Sequence, residues 1–377
     1  MKISLIIAPL ISSLLVLGCE GHYQPVLPDI EYKLVIVDSV GVEIGNNDCI
    51  IGLPTEAAFT PDGNVAVLDL KKHAITLFST DGSFIEQIGQ EGEGPGDLTR
   101  PSGFGICPEG SILISDAIGI SRFDPSYNFY ERITLENTVR IISVFDDGSI
   151  FGNDMRYVSS DGELMIVASY GKWNSNIEQV VEYYETRIPA SVLQPSGDGK
   201  IHESDIRHYC VASSSGRAFF TEKTREEFTI TGYEADGSEY LQIHDDNYLR
   251  VRRTDSEIQY LVNRQQSYWS TIFGSSVSSQ FDYVPDPYRP AIGEIFVDHE
   301  ERLWVQLGYF HEMVFRVYDM NGNILFHAML ENRMDTGDFL SWKVTGNEHG
   351  FLAFDANPRD AVRIYVMELQ RNYGDSL

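Results

Sequence analysis

The chain has 377 residues, of which 42% are hydrophobic and 12% aromatic, enough apolar material to bury a large core and to exclude a disordered chain. Its 56 acidic residues against 28 basic ones give a formal charge of −28, spread along the sequence. Such a field repels phosphate backbones and anionic surfaces, which excludes nucleic acid from the expected partners, and the excess carboxylate reads as a solvated surface.

Lys2 precedes an apolar run over 3–17, interrupted by Pro9, Ser12 and Ser13, which is too short to span a membrane and reads as an export signal. The run ends in Val16-Leu17-Gly18-Cys19, which resembles the lipobox of bacterial lipoproteins. The resemblance implies cleavage before Cys19 and lipidation of its thiol. With Glu20 rather than Asp following, it implies sorting to the outer membrane, facing the periplasm or the cell surface. The expected organisation is a signal peptide over 1–18, a polar tether over 19–31 and a folded domain over 32–371. Cys49, Cys107 and Cys210 form no Cys-x-x-Cys pair, so neither a disulfide framework nor a zinc site is encoded. Cys107, between Ile106 and Pro108, is expected to pack as a small apolar side chain.

After the tether, Tyr32 to Asp38 has the β-branched content of a strand, placed ahead of the first repeat. In a closed ring such a strand completes the blade begun at the other terminus. Six units follow, each an apolar run, a turn and a second apolar run. The first runs from Ala57 to Asp69 around Asp62-Gly63, continues through Ala74 to Phe78 and turns again at Asp81-Gly82. The second turns at Glu109-Gly110 and reaches Asp116; the third turns at Asp147-Gly148, reaches Asp154 and turns at Asp161-Gly162. The fourth turns at Ser215-Gly216, reaches Glu222 and turns at Asp236-Gly237. The fifth turns at Glu300-Glu301 and Asn321-Gly322, and the sixth turns at His349-Gly350, reaches Asp355 and ends in Arg363 to Val366. Asp-Gly and Asn-Gly between apolar runs are hairpin signals, expected here as type I′ turns, so each unit reads as a four-stranded antiparallel meander. A lone meander leaves one apolar face bare. Copies packed radially cover every face and close the ring, which predicts an all-β, six-bladed β-propeller.

Two stretches break the pattern. Between 246 and 289, Thr254-Asp255-Ser256-Glu257 offers N-cap chemistry ahead of Ile258, Leu261, Val262, Gln265 and Trp269 at helical spacing, predicting a helix of about four turns lying against the rim. A looser excursion, rich in Pro, Ser and Gly, covers 189–205. The connector Gly89-x-x-Gly-Glu-Gly-Pro-Gly-Asp-Leu98, the segment Pro101-Ser102-Gly103 and the Asp116 strand before Arg122-Phe123-Asp124 resemble NHL-type six-bladed β-propellers, in particular the lipoproteins common in Bacteroidetes. The resemblance spans roughly 54–369 and implies fold and location rather than chemistry.

Catalytic signatures are sparse. The glycines of 89–96 lack the Lys-Ser/Thr and the following helix of a phosphate loop and read as a connector. Ser169-Tyr170-Gly171-Lys172 matches a Ser-x-x-Lys spelling by chance. Asp69, Asp116, Asp154 and Asp355, with Glu222 in the fourth unit, close the second strands of their blades. They could converge on the axis to hold Ca²⁺, as in lactonase and esterase propellers, or each could cap its own loop as an Asx turn. The loops after these acids carry Lys71, Lys72, His73, Arg156, Lys223, Arg225, Tyr309, His311 and Arg359, with Arg100 in the connector before the second blade. Gathered at one mouth, they would focus an anionic ligand. The reading is a lipid-anchored, non-enzymatic binding module without a cofactor, whose ligand is a peptide, a glycan or a protein of the cell envelope. The alternative is a metal-dependent hydrolase or lactonase using Asp69, Asp116, Asp154 and Asp355.

Overall fold

The computed structural model describes residues 25–42, 47–135, 137–160, 162–193, 200–203, 208–222, 224–273, 282–331, 339, 342–356 and 362–373. A strand β1 (Tyr32–Val40) comes first. Blade 1 is β2 (Pro54–Phe59), β3 (Val65–Asp69), β4 (Ala74–Phe78) and β5 (Phe84–Ile88), and blade 2 is β6 (Gly103–Ile106), β7 (Ile112–Ser115), β8 (Gly119–Phe123) and β9 (Phe129–Thr134). Blade 3 is β10 (Val139–Val144), β11 (Ile150–Ser160), β12 (Glu163–Trp173) and β13 (Gln179–Pro189), followed by a short β14 (Lys200–His202). Blade 4 is β15 (His208–Ala212), β16 (Ala218–Glu222), β17 (Thr229–Tyr233) and β18 (Glu239–His244), after which come α1 (Asp255–Phe273) and β19 (Asp282–Val284). Blade 5 is β20 (Ile292–Val297), β21 (Leu303–Leu307), β22 (Val314–Tyr318) and β23 (Ile324–Leu330), and blade 6 opens with β24 (Trp342–Asn347), β25 (Gly350–Asp355) and β26 (Ile364–Arg371).

The sixth blade takes its fourth strand from the other end of the chain. β1 runs antiparallel to β26 from Tyr32↔Arg371 to Val40↔Ile364. It also pairs in parallel with β23, so blades 5 and 6 form one eight-stranded sheet. The first strands of successive blades touch one another around a complete circuit, which places them innermost and closes the ring.

The cores explain why no blade stands alone. Six hydrophobic clusters fill the six gaps between neighbouring blades. In β3, Val65 and Val67 pack toward blade 6 while Ala66 and Leu68 pack toward blade 2, so all of its residues are buried and its apolar run is continuous rather than alternating. The gap between blades 5 and 6 is the most aromatic: fully buried Trp304 lies 5.4 Å from Phe296, 5.7 Å from Phe315 and 5.1 Å from Phe351, centroid to centroid. Cys107 is buried between blades 2 and 3, as its apolar flanks require.

Two turn expectations change. At Pro61-Asp62-Gly63 only the glycine has positive φ, and Thr60 and Asn64 close the loop through Gly63 N→Thr60 O at 2.9 Å and Thr60 N→Asn64 O at 2.8 Å. This is a type I turn followed by a left-handed residue, not type I′; Pro61 cannot take positive φ. Tyr127, Ile177 and Glu301 occupy the same left-handed position in their turns at φ of 63°, 61° and 57°. In blade 3 the Gly162 turn joins β11 to β12 rather than the third strand to the fourth, because both strands run for 11 residues. Asp154 and Arg156 therefore lie within a strand, and the next turn falls at Asn174–Glu178.

Candidate functional site

Antiparallel strands alternate in direction, so the hairpins joining strands one to two and three to four emerge on one face. The loops joining strands two to three emerge on the opposite, upper face together with the connectors between blades. Both insertions are connectors of this kind. They meet through the parallel pairing of β14 with β19, from Lys200↔Asp282 to His202↔Val284. A buried ion cluster ties them to blade 4: Glu203 accepts from Arg253 at 2.6 Å and lies 2.8 Å from Arg225, whose Nε is 3.4 Å from Asp286. Helix α1 begins with a capping box in which Thr254 N donates to Glu257 at 2.7 Å and Glu257 N donates to the Thr254 hydroxyl at 3.3 Å. Burial alone would raise the Glu257 carboxyl, but the Thr254 amide and the Arg289 guanidinium hold it below the usual range. Arg289 also reaches His311 Nδ1 at 2.6 Å and Phe310 O at 2.5 Å in the blade 5 loop. About two turns further along, Arg264 pairs with Asp355 of blade 6. The helix thus crosses the upper face from blade 5 to blade 6 and does not lie against the rim, and its 19 residues make about five turns.

Three of the basic residues expected at a mouth, Arg156, Arg225 and His311, are used by this cap or by the strands. Arg225 is 3% exposed in the ion cluster, so it supports the cap rather than an open site. His311 is 63% exposed but engaged by Arg289, and Tyr309 packs on Tyr248 and Phe310 beside a cleft of about 140 Å³. Arg156 bridges Asp154 at 3.3 Å and Glu185 at 2.7 Å within blade 3. Cys19, Lys223 and Arg359 lie outside the described residues.

The carboxylates follow the loop-capping pattern. Asp69 accepts from the amides of Gly52, Leu53 and Lys71 at 2.6, 2.9 and 3.0 Å. Asp116 accepts from Thr99, Ile118 and Gly119 at 2.9, 2.8 and 3.0 Å. Each thereby ties the connector arriving from the previous blade to its own loop. Asp154 and Asp355 are paired with Arg156 and Arg264, and Glu222 is approached by the Tyr184 hydroxyl at 3.5 Å. Among the described residues no group of three or more His, Cys, Asp or Glu could hold a metal ion, so these four aspartates do not form a shared cage there. Ser169 and Lys172 do not meet either: Ser169 donates to Glu182 and Lys172 pairs with Asp147.

The sequence reading missed the axial residues. Register places Glu56, Gly103, Arg140, Tyr209 and Lys343 on the same rung of their inner strands, opposite Leu68, Ser115, Asn153, Thr221 and Phe354. An inner strand has an unpaired edge, and Glu56, Arg140 and Lys343 bond to it. Glu56 accepts from Phe104 N at 3.1 Å, Arg140 donates to Ser102 O at 3.0 Å, and the two close over blade 2 at 2.7 Å. A Cβ on Gly103 would stand 2.1 Å from Ile141 O, so only glycine fits beneath the bridge. Lys343 donates to Thr55 O at 2.9 Å. The Arg140 side chain, 44% exposed at the innermost strand, floors the opening. The available signal was one polar residue at a fixed distance before each first turn, as at Glu56, Glu294 and Lys343.

Among the described residues the cap contacts blades 4 to 6, and none of its described residues contacts the loops of blades 1 and 2. There Lys71 and Arg100 are exposed, and Arg100 N donates to His73 Nδ1 at 3.4 Å. His73 and Arg100 have φ of 52° and 53°. His73 closes the hairpin loop between β3 and β4, whereas Arg100 lies in the connector ahead of blade 2, outside any hairpin, where left-handed backbone persists only if the surroundings over-determine it. Lys72 points away and donates to Asn47 O and Asp48 O, each at 3.3 Å.

Residues 45–208 match the model of the DUF5128 family, described as a 6-bladed β-propeller. This chain is a six-bladed β-propeller. Its fold is similar to that of a DUF4221 family member from Bacteroides vulgatus, at 9% identity and a TM-score of 0.51 over 90% of this chain and 99% of that one. A putative exported protein from Bacteroides fragilis aligns at 13% identity with a TM-score of 0.47 over 91% and 97%. Among curated proteins there is no match. These likenesses concern the propeller fold and carry no chemistry.

Proposed function

We propose that this propeller is a lipid-anchored cell-envelope binding module that takes an anionic ligand, an acidic glycan or a peptide carboxylate, on the open half of its upper face. The observation that carries this reading is the contact between His73 and Arg100. Two left-handed residues, one in a blade 1 loop and one in the connector to blade 2, touch beside exposed Lys71, on the part of the face that the described residues of the insertions leave uncovered. In a chain of charge −28 a local group of cations selects anions by contrast with its surroundings. The export signal and the lipobox at Cys19 support an anchor on the envelope, at the outer membrane, and no helix among the described residues is long and apolar enough to cross a membrane. Equilibrium binding to an array of acidic oligosaccharides and Asp- or Glu-terminated peptides tests the reading. Binding should weaken with salt and fall at least about tenfold on Lys71→Glu with Arg100→Glu. Unchanged binding in that double variant would place the site elsewhere.

A further inference from the structure

We infer that the rim between blades 4 and 5 is the face this protein lays against a lipid bilayer. The inference rests on the lipid anchor at Cys19. Residues Pro25 to Pro28 lie beside Leu249 along a cleft lined by Tyr248, Tyr309 and Phe310. Only five residues separate Cys19 from Pro25, a span of at most about 22 Å, so a bilayer holding the lipid must come close to this rim. The rim has the composition such contact requires. Val26, Leu27 and Leu249 are 86%, 42% and 54% exposed, and Arg250, which pairs with Glu226 at 2.9 Å, and Arg252, both exposed, follow Leu249 in the run Leu249-Arg250-Val251-Arg252-Arg253. Apolar side chains enter the interface while neighbouring guanidinium groups meet lipid phosphates. Two exposed arginines beside Leu249 stand out in a chain with twice as many acids as bases; the third of the run, Arg253, is buried on Glu203. In a ring of six blades the gap between blades 4 and 5 is diametrically opposite the gap between blades 1 and 2, so this orientation turns His73 and Arg100 away from the membrane.

The test uses the full lipidated protein in phosphatidylcholine vesicles that carry a lipid with a photoactivatable diazirine near the headgroup. Adducts mapped by mass spectrometry should concentrate on residues 25–28 and 248–252. The variant Val26→Asp with Leu249→Asp, at two exposed positions, should float with the vesicles as the parent does and lose at least fivefold of that labelling. Adducts spread evenly, concentrated at Tyr130 on the outer strand of blade 2, or unchanged in the variant would overturn the assigned face while leaving the anchor intact. Flotation of Cys19→Ala at the level of the parent would overturn the anchor and, with it, the tether argument.

Discussion

Asp116 is fully buried and satisfies three backbone amides from two segments, its own loop and the connector ahead of blade 2. Asp116→Ala leaves those amides without their acceptor in a dry site, and chemical denaturation should show a loss of at least about 2 kcal/mol. His327 works in the opposite sense. Burial and the adjacent Arg316 guanidinium push its imidazole below the ordinary value of 6.5, against the smaller opposing pull of Glu31 and Asp29. Arg316 Nε stands 3.3 Å from its Nε2, so the neutral ring accepts. With the folded-state value depressed, the unfolded chain protonates first as pH falls through about 6.5. The histidine's contribution is therefore intact near neutrality and is lost on acidification. The His327→Gln variant should lose less stability than the parent between about pH 7 and about pH 5, as read from urea midpoints. Equal losses would show that His327 does not contribute.

At the scale of elements, the cap is held by ion pairs over a hydrophobic ring, so its stability is separable from that of the blades. Glu203 is the common partner of Arg253 and Arg225, and Glu203→Ala removes the carboxylate that two buried guanidinium groups share, leaving them Asp286. The expected cost is about 3–5 kcal/mol, and hydrogen exchange should accelerate in β14, β19 and α1 while β3 and β7 remain protected. Uniform acceleration would mean that the cap and ring unfold together. The helix itself was legible, because Thr254 and Glu257 spell a capping box and the apolar spacing is helical. Its place was not. The residues that dock it, Arg264 on Asp355 and Arg289 on Glu257, are paired across 91 and 32 positions of sequence, and no local pattern reports such pairs. The same limit applies to Arg225, which looked like a surface cation until Glu203 and Asp286 were seen around it. Blade 3 departed for a different reason: an Asp-Gly turn marks a hairpin but not which pair of strands it joins.

At the scale of the molecule, the ring depends on β1. Leu34 and Val40 are fully buried, one between blades 5 and 6 and the other between blades 6 and 1. Removing residues through 40 should expose both gaps, lower the urea midpoint of the whole domain and raise binding of a hydrophobic dye. An unchanged midpoint would show that the ring closes without β1. The number of blades and this closure were readable because glycine turns recur and a strand was left over at the start. The ring of axial charges was not, since Arg140 reaches its rung only through a bulge between Ile141 and Ser143 that shifts its spacing from the turn by one residue.

The proposed ligand sits on the blade 1 and 2 side of the upper face. Hydrogen exchange of the protein with and without a bound acidic oligosaccharide or carboxylate peptide from the array tests it directly. Protection is expected at Leu70 to His73 and Leu98 to Ser102, with the cap helix and the lower hairpin turns unchanged. Protection confined to the lower turns or to the cap would contradict it.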